Sequence, residues 1–94
     1  MKKLDELEIT DRIKNIPGWH YKNGYIAKSY TFKDFKHAFS VMTRIAFECE
    51  LQNHHPQWEN VYNNLTIKLN THDVDGITQN DFDLANAIEQ IINS

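Results

Sequence analysis

Cysteine, glycine and proline are all scarce in this chain of 94 residues, and each shortage excludes something. A single cysteine, Cys49, cannot form an intrachain disulfide or a multi-thiolate zinc centre. Only three glycines occur and none is clustered, so there is no phosphate-cradling loop and no dinucleotide fingerprint. No serine sits in a nucleophile-elbow sequence. The two prolines, Pro17 and Pro56, act as punctuation. Long apolar runs are missing, and "MKKLDELEIT" turns acidic at once, so neither a membrane span nor a signal peptide is expected. Positive charge is also in deficit: 10 basic against 13 acidic residues give a formal charge of −3, which supplies no long-range attraction to nucleic acid or anionic lipid. A reducing cytoplasmic location is the default expectation.

The length argues for one domain spanning residues 1–94, with a small core for which oligomerisation would supply further burial. "LDELEITDRIKNI" carries a partly helical apolar period and is stopped by Pro17 and Gly18. Asn23-Gly24 predicts a tight hairpin, because both residues tolerate positive φ. Its second strand alternates Ile26, Lys28, Tyr30 and Phe32 with smaller or polar residues. The strongest helix is "DFKHAFSVMTRIAFECELQN", capped by Asp34. Phe35, Ala38, Phe39, Met42, Ala46 and Cys49 are expected on its covered face, with Ile45 and Phe47 off centre.

Pro56 ends that helix and pushes His55 into extended backbone. Asn63-Asn64 is expected to divide two more strands, the second with Leu65, Ile67 and Leu69 on one face. Thr78 and Asp81 form a capping-box signature before a last helix striped by Phe82, Ala85, Ile88 and Ile92. The order α-β-β-α-β-β-α predicts an α+β fold: a four-stranded antiparallel sheet, two long helices packed on one face and a short N-terminal helix.

Chemistry concentrates in His54, His55, His72, Glu50 and Asp81. Imidazoles suit proton transfer near neutrality, since their unperturbed pKa is about 6.5. Glu50 stands four residues before His54, on the same helix side, where it could hold one tautomer; a solvated carboxylate is the plain alternative. His54 and His55 could equally cap a helix C-terminus. His72 ends a strand, and Asp81 could fold back towards it as well as cap its helix. Trp58 is a core residue or a flat wall for a planar substrate; Thr71 is an ordinary strand residue or a hydroxyl facing the pocket. His20 and His37 have no evident partner and read as surface residues. The histidine spacings match no common zinc pattern, so no metal is expected.

The string "ELQNHHPQWENVYN", then "LNTH", Gly76 and Asp81, resembles the pterin-4a-carbinolamine dehydratase family. The similarity extends upstream to Gly18-Trp19 and to "FKDFKHAFSVMTRIA" from Phe32, covering almost the whole chain. It implies dehydration of 4a-hydroxytetrahydropterin to quinonoid dihydropterin, recycling the pterin used by aromatic amino acid hydroxylases, without metal or organic cofactor. It implies catalytic roles for His54, His55 and His72, orienting roles for Glu50 and Asp81, and pocket-shaping roles for Trp58 and Thr71. It further implies a homodimer or homotetramer, with sheets joining edge to edge and helices in the tetramer contact. Two positions depart from the family habit: Asn53 replaces an acidic residue and Asn80 a basic one. Rival readings are a protein partner, as a dimerisation cofactor of a transcription factor, and a salvage role on another pterin such as a molybdopterin relative.

Overall fold

The computed structural model describes residues 1–94 as α1 (Glu6–Ile13), β1 (His20–Lys22), β2 (Tyr25–Thr31), α2 (Phe35–Gln52), β3 (Gln57–Val61), β4 (Asn64–Leu69), a 3-10 turn (His72–Val74) and α3 (Gln79–Ile92). The strands form one antiparallel sheet in the order β1-β2-β4-β3. This is the expected α+β arrangement. Asn23 and Gly24 both take positive φ, 54° and 81°, and so close the first hairpin with the twist its strands need. The second turn falls one residue earlier than expected. Val61 pairs with Asn64, so Tyr62-Asn63 is the loop and Asn64 opens β4. Tyr62 sits at φ 52°, an unusual place for an aromatic residue. The Asn60 side-chain amide, donating to the Tyr62 and Asn64 carbonyls, holds the chain there.

Ile26 and Tyr30 of β2 and Leu65, Ile67 and Leu69 of β4 form the buried sheet face. Phe82, Ala85 and Ile88 of α3 cover it as the stripe predicts, and Leu84 is buried with them. Helix α2 is rotated from the expected phase. Its buried residues are Ala38, Val41, Ile45 and Cys49, whereas Phe35, Phe39 and Ala46 are exposed. The 38-41-45-49 row keeps the three- and four-residue spacing with smaller side chains, which fit close to the sheet and to α3. Burial pushes the Cys49 thiol up to about 11.

Glu89 ties the far end of α3 to the sheet. Its Oε2 accepts from Lys28 Nζ at 2.8 Å, from Trp19 Nε1 at 3.2 Å and from the Tyr30 hydroxyl. Burial would raise this carboxyl, but the Lys28, Tyr30 and Trp19 donors outweigh it and hold it below its usual range. Burial, then the Glu89 carboxylate, pushes the Tyr30 phenol far above its ordinary value. At the opposite end, the Leu4 amide donates to the Ile77 carbonyl at 2.8 Å, strapping the N-terminal segment along the loop before α3.

The stability from Glu89 is present above the unfolded-state carboxylate pKa and is lost as pH falls through the lower folded value. Tyr30 acts at the other extreme: stability falls as pH rises past the ordinary tyrosine range, where the unfolded phenol ionises and the folded one does not. Glu89→Gln keeps the shape but leaves the Lys28 ammonium without its anion, so urea denaturation is expected to show a loss of about 1–3 kcal/mol. An unchanged midpoint would show that the cluster contributes nothing net.

Candidate active site

The site begins where α2 stops. Asn53 adopts left-handed backbone, φ 51° and ψ 45°. Its amide donates to the Glu50 carbonyl at 3.2 Å, and the His54 amide donates to the Cys49 carbonyl at 3.0 Å. This is the Schellman closure, and asparagine tolerates its left-handed position better than most residues. The reversal turns His54 back under the helix towards the start of α3. Pro56 then carries the chain into β3.

There His54 Nε2 lies 2.5 Å from Asp81 Oδ1. Asp81 is completely buried. Its Oδ2 accepts from the Thr71 hydroxyl at 2.9 Å and from the Thr78 amide at 3.0 Å. The capping box is therefore real, and the same carboxylate anchors the imidazole. Asp81 faces His54 rather than His72, the partner first expected. Glu50 also differs from expectation: it meets His55, Oε2 to Nε2 at 2.6 Å, on the surface. The cause is Asn53. A four-residue spacing brings side chains together only while the helix continues, and here it has ended.

His72 opens the 3-10 turn, which is held by the Thr71–Gly76 bridge and by Asp75 in left-handed backbone. His54, His55 and His72 line one cavity of about 420 Å³, with Thr71, Asp73 and Asn80. That size lies within the range of small-molecule sites. Thr71 is buried and gives its proton to Asp81, so its hydroxyl supports the site from behind. Trp58 lines a separate cavity with Gln57, Glu59, Thr66 and Lys68. It pairs with Ile67 across β3 and β4 and packs half-buried against the core. His20 and His37 lie exposed outside the cavity. Sequence reasoning passed over Thr78 as more than a cap, although a Thr-x-x-Asp cap shortly after a histidine is the signal that could have drawn attention to it. Asn70 and Asp73, also at the cavity, carry no pattern that marks them.

A small α+β layer protein with three imidazoles around one polar cavity, one of them held by a buried carboxylate, is equipped for acid–base chemistry on a small molecule. The family model described as pterin 4 alpha carbinolamine dehydratase matches residues 2–91, and the chain belongs to this family. A relative from Christiangramia forsetii named for the same dehydratase is 56% identical over 94 residues, covering 100% of this chain and 97% of the relative. One from Prochlorococcus marinus strain MIT 9215 is 47% identical over 88 residues, with 94% and 92% covered. The crystal structure of a transcriptional coactivator/pterin dehydratase from Brucella melitensis superimposes with a TM-score of 0.93 at 34% identity, over 96% of this chain and 98% of that one. The activity is hydro-lyase action on 4a-hydroxytetrahydropterin, giving quinonoid dihydropterin and water.

Asn53→Ala keeps the β-carbon in left-handed backbone but removes the short polar side chain that makes the conformation tolerable, at an expected cost of about 1 kcal/mol, whereas Asn53→Gly removes the β-carbon and is expected to be neutral or slightly stabilising. Thermal denaturation of the two variants side by side checks this. Equal melting points would remove the helix stop as the element that aims His54.

Proposed function

We propose that His54, His55 and His72 carry the dehydration, with Asp81 and Glu50 orienting them. The observation that carries this reading is the convergence of all three imidazoles on one cavity while His54 is tied to a buried carboxylate. The reaction removes the N5 proton and expels the 4a-hydroxyl as water. The N5 lone pair forms the C4a=N5 bond as the hydroxyl leaves protonated. One group must therefore accept a proton while another donates one. His54 and His72 take these acid–base roles. His55, held by Glu50 at the rim, binds substrate and polarises the hydroxyl. A fixed site contributes further by placing these groups around the leaving oxygen. Thr71 acts through Asp81. Trp58, paired with Ile67 on the neighbouring strand, shapes the pocket from β3.

The physiological role is recycling of tetrahydropterin for aromatic amino acid hydroxylation, in a reducing cytoplasm that suits the single buried thiol of Cys49. Self-association as a dimer or tetramer is supported by the outer face of α2. Phe35 and Phe39 stack there with ring centroids 5.8 Å apart and are 47% and 55% exposed. They border a shallow apolar groove of about 640 Å³. A second reading, docking of a regulatory protein on this face, is favoured by the coactivator description of the Brucella melitensis structure.

Decay of enzymatically generated 4a-hydroxytetrahydropterin, followed by ultraviolet absorbance, tests the catalytic roles. His54→Ala and His72→Ala are each expected to lower kcat by about a hundredfold or more, with His55→Ala acting mainly on KM. Wild-type rates in correctly folded His54→Ala and His72→Ala would remove these residues from the chemistry. For the assembly, Phe39→Glu is expected to lower the sedimenting mass by dissolving the α2 contact. An unchanged mass would place self-association elsewhere.

A further inference from the structure

The hydrogen bonds behind His54 fix more than its position. The Thr71 and Thr78 hydroxyl oxygens lie 2.9 Å apart in a buried pocket. Each hydroxyl has one proton to give. Thr71 gives its proton to Asp81 Oδ2 at 2.9 Å, so the proton between the two threonines belongs to Thr78. The Thr78 oxygen remains an acceptor for the Asn80 amide at 3.2 Å, which keeps α3 capped. Every donor in the chain therefore points towards the carboxylate: Thr78 to Thr71, Thr71 to Asp81, and the Thr78 amide to Asp81 as well.

Oδ2 of Asp81 already takes two donors, and a carboxylate oxygen is an acceptor, so Oδ1 takes its hydrogen bond from His54. The imidazole proton is thereby drawn to Nε2. Nδ1 keeps its lone pair and accepts no hydrogen bond from the protein, yet it is not sealed away: the sole buried side-chain nitrogen or oxygen without a hydrogen-bond partner is Arg12 Nη1. With His54 lining the cavity, Nδ1 is the nitrogen available to a bound molecule.

We propose that the Thr71–Thr78 hydroxyl pair is a positioning device for the dehydration. It fills Asp81 Oδ2 with donors, leaves Oδ1 to accept from His54, and so selects the His54 tautomer with its proton on Nε2 and its lone pair on Nδ1. The proposal rests on the reading of His54 as an acid–base group. It goes further in assigning a function to Thr78 beyond helix capping and in stating which nitrogen meets the pterin. In the neutral imidazole the nitrogen carrying the proton is a donor and the other an acceptor. His54 thus enters the cycle as the base at Nδ1, and His72 is left to protonate the departing hydroxyl.

Long-range proton–nitrogen correlation on protein labelled with nitrogen-15 histidine, at mildly alkaline pH, reads the tautomer directly. Wild-type His54 is expected to be protonated on Nε2 and bare on Nδ1. Thr71→Val removes the donor to Asp81 at nearly constant volume. His54 is then expected to populate both tautomers, with kcat lower by about tenfold and KM changed by less than about twofold. Thr71→Ser restores the donor and is expected to recover both readouts, which a purely structural loss would not require. A proton on Nδ1 in the wild type overturns the proposal without any variant, so it stays testable even where Thr71→Val does not fold. Wild-type tautomer and kcat retained in Thr71→Val also overturn it. Full activity in folded His54→Ala would instead overturn the catalytic reading beneath it, leaving the tautomer measurement as it stands.

Discussion

Nearly everything specific about this protein converges on the buried carboxylate of Asp81. A charge removed from water is costly unless its hydrogen-bonding positions are filled. Here Oδ2 takes the Thr71 hydroxyl and the Thr78 amide, and Oδ1 takes His54. These partners come from three places: the end of β4, the start of α3 and the end of α2. Satisfying one carboxylate therefore docks three segments. The sheet and the two long helices supply burial, and Asp81 sets how their ends meet.

The three histidines differ because their surroundings differ. His54 is largely buried and fixed to a completely buried acid. His55 is paired with an exposed Glu50, in solvent that screens the interaction, so it gains orientation more than energy. His72 is carried by a short turn braced by the Thr71–Gly76 bridge. Adjacent residues 54 and 55 end in unlike environments because the chain reverses at Asn53 and extends before Pro56. Two neighbouring imidazoles can then contact a bound pterin from different directions.

Much of the fold was legible in the sequence for identifiable reasons. Leu65, Ile67 and Leu69 alternate cleanly and are all buried. Asn23-Gly24 meets the φ demands of its turn, and Asp34 and Thr78 cap their helices as such residues do. The phase of α2 was not legible. Its apolar residues wrap around more than one face, and three phenylalanines, bulkier than Ala38, Val41 and Ile45, lie outside. Periodicity reports which residues share a face, but a second apolar face leaves the choice to packing. At the site, the residue types were legible and the pairings were not. The shift of Glu50 from His54 to His55, which leaves His54 to Asp81, depends on one left-handed residue that the helical spacing rule does not anticipate. Trp58 was ambiguous between core and wall because an aromatic residue beside a histidine motif fits either place.

The strap made by residues before α1 has a practical consequence for handling the protein. Leu4 is bonded to Ile77, and Met1 reaches Asn80 and the cavity that holds the histidines. An affinity tag joined ahead of Met1 would emerge at the mouth of that cavity and compete with a ligand for the same space. A tag attached after Ser94 would begin instead beside Arg44, to which Ser94 is hydrogen-bonded on the outer side of α2. The two ends of this chain are therefore not equivalent for labelling, immobilisation or fusion: the first reports on the pocket, the second on the surface through which copies are proposed to meet.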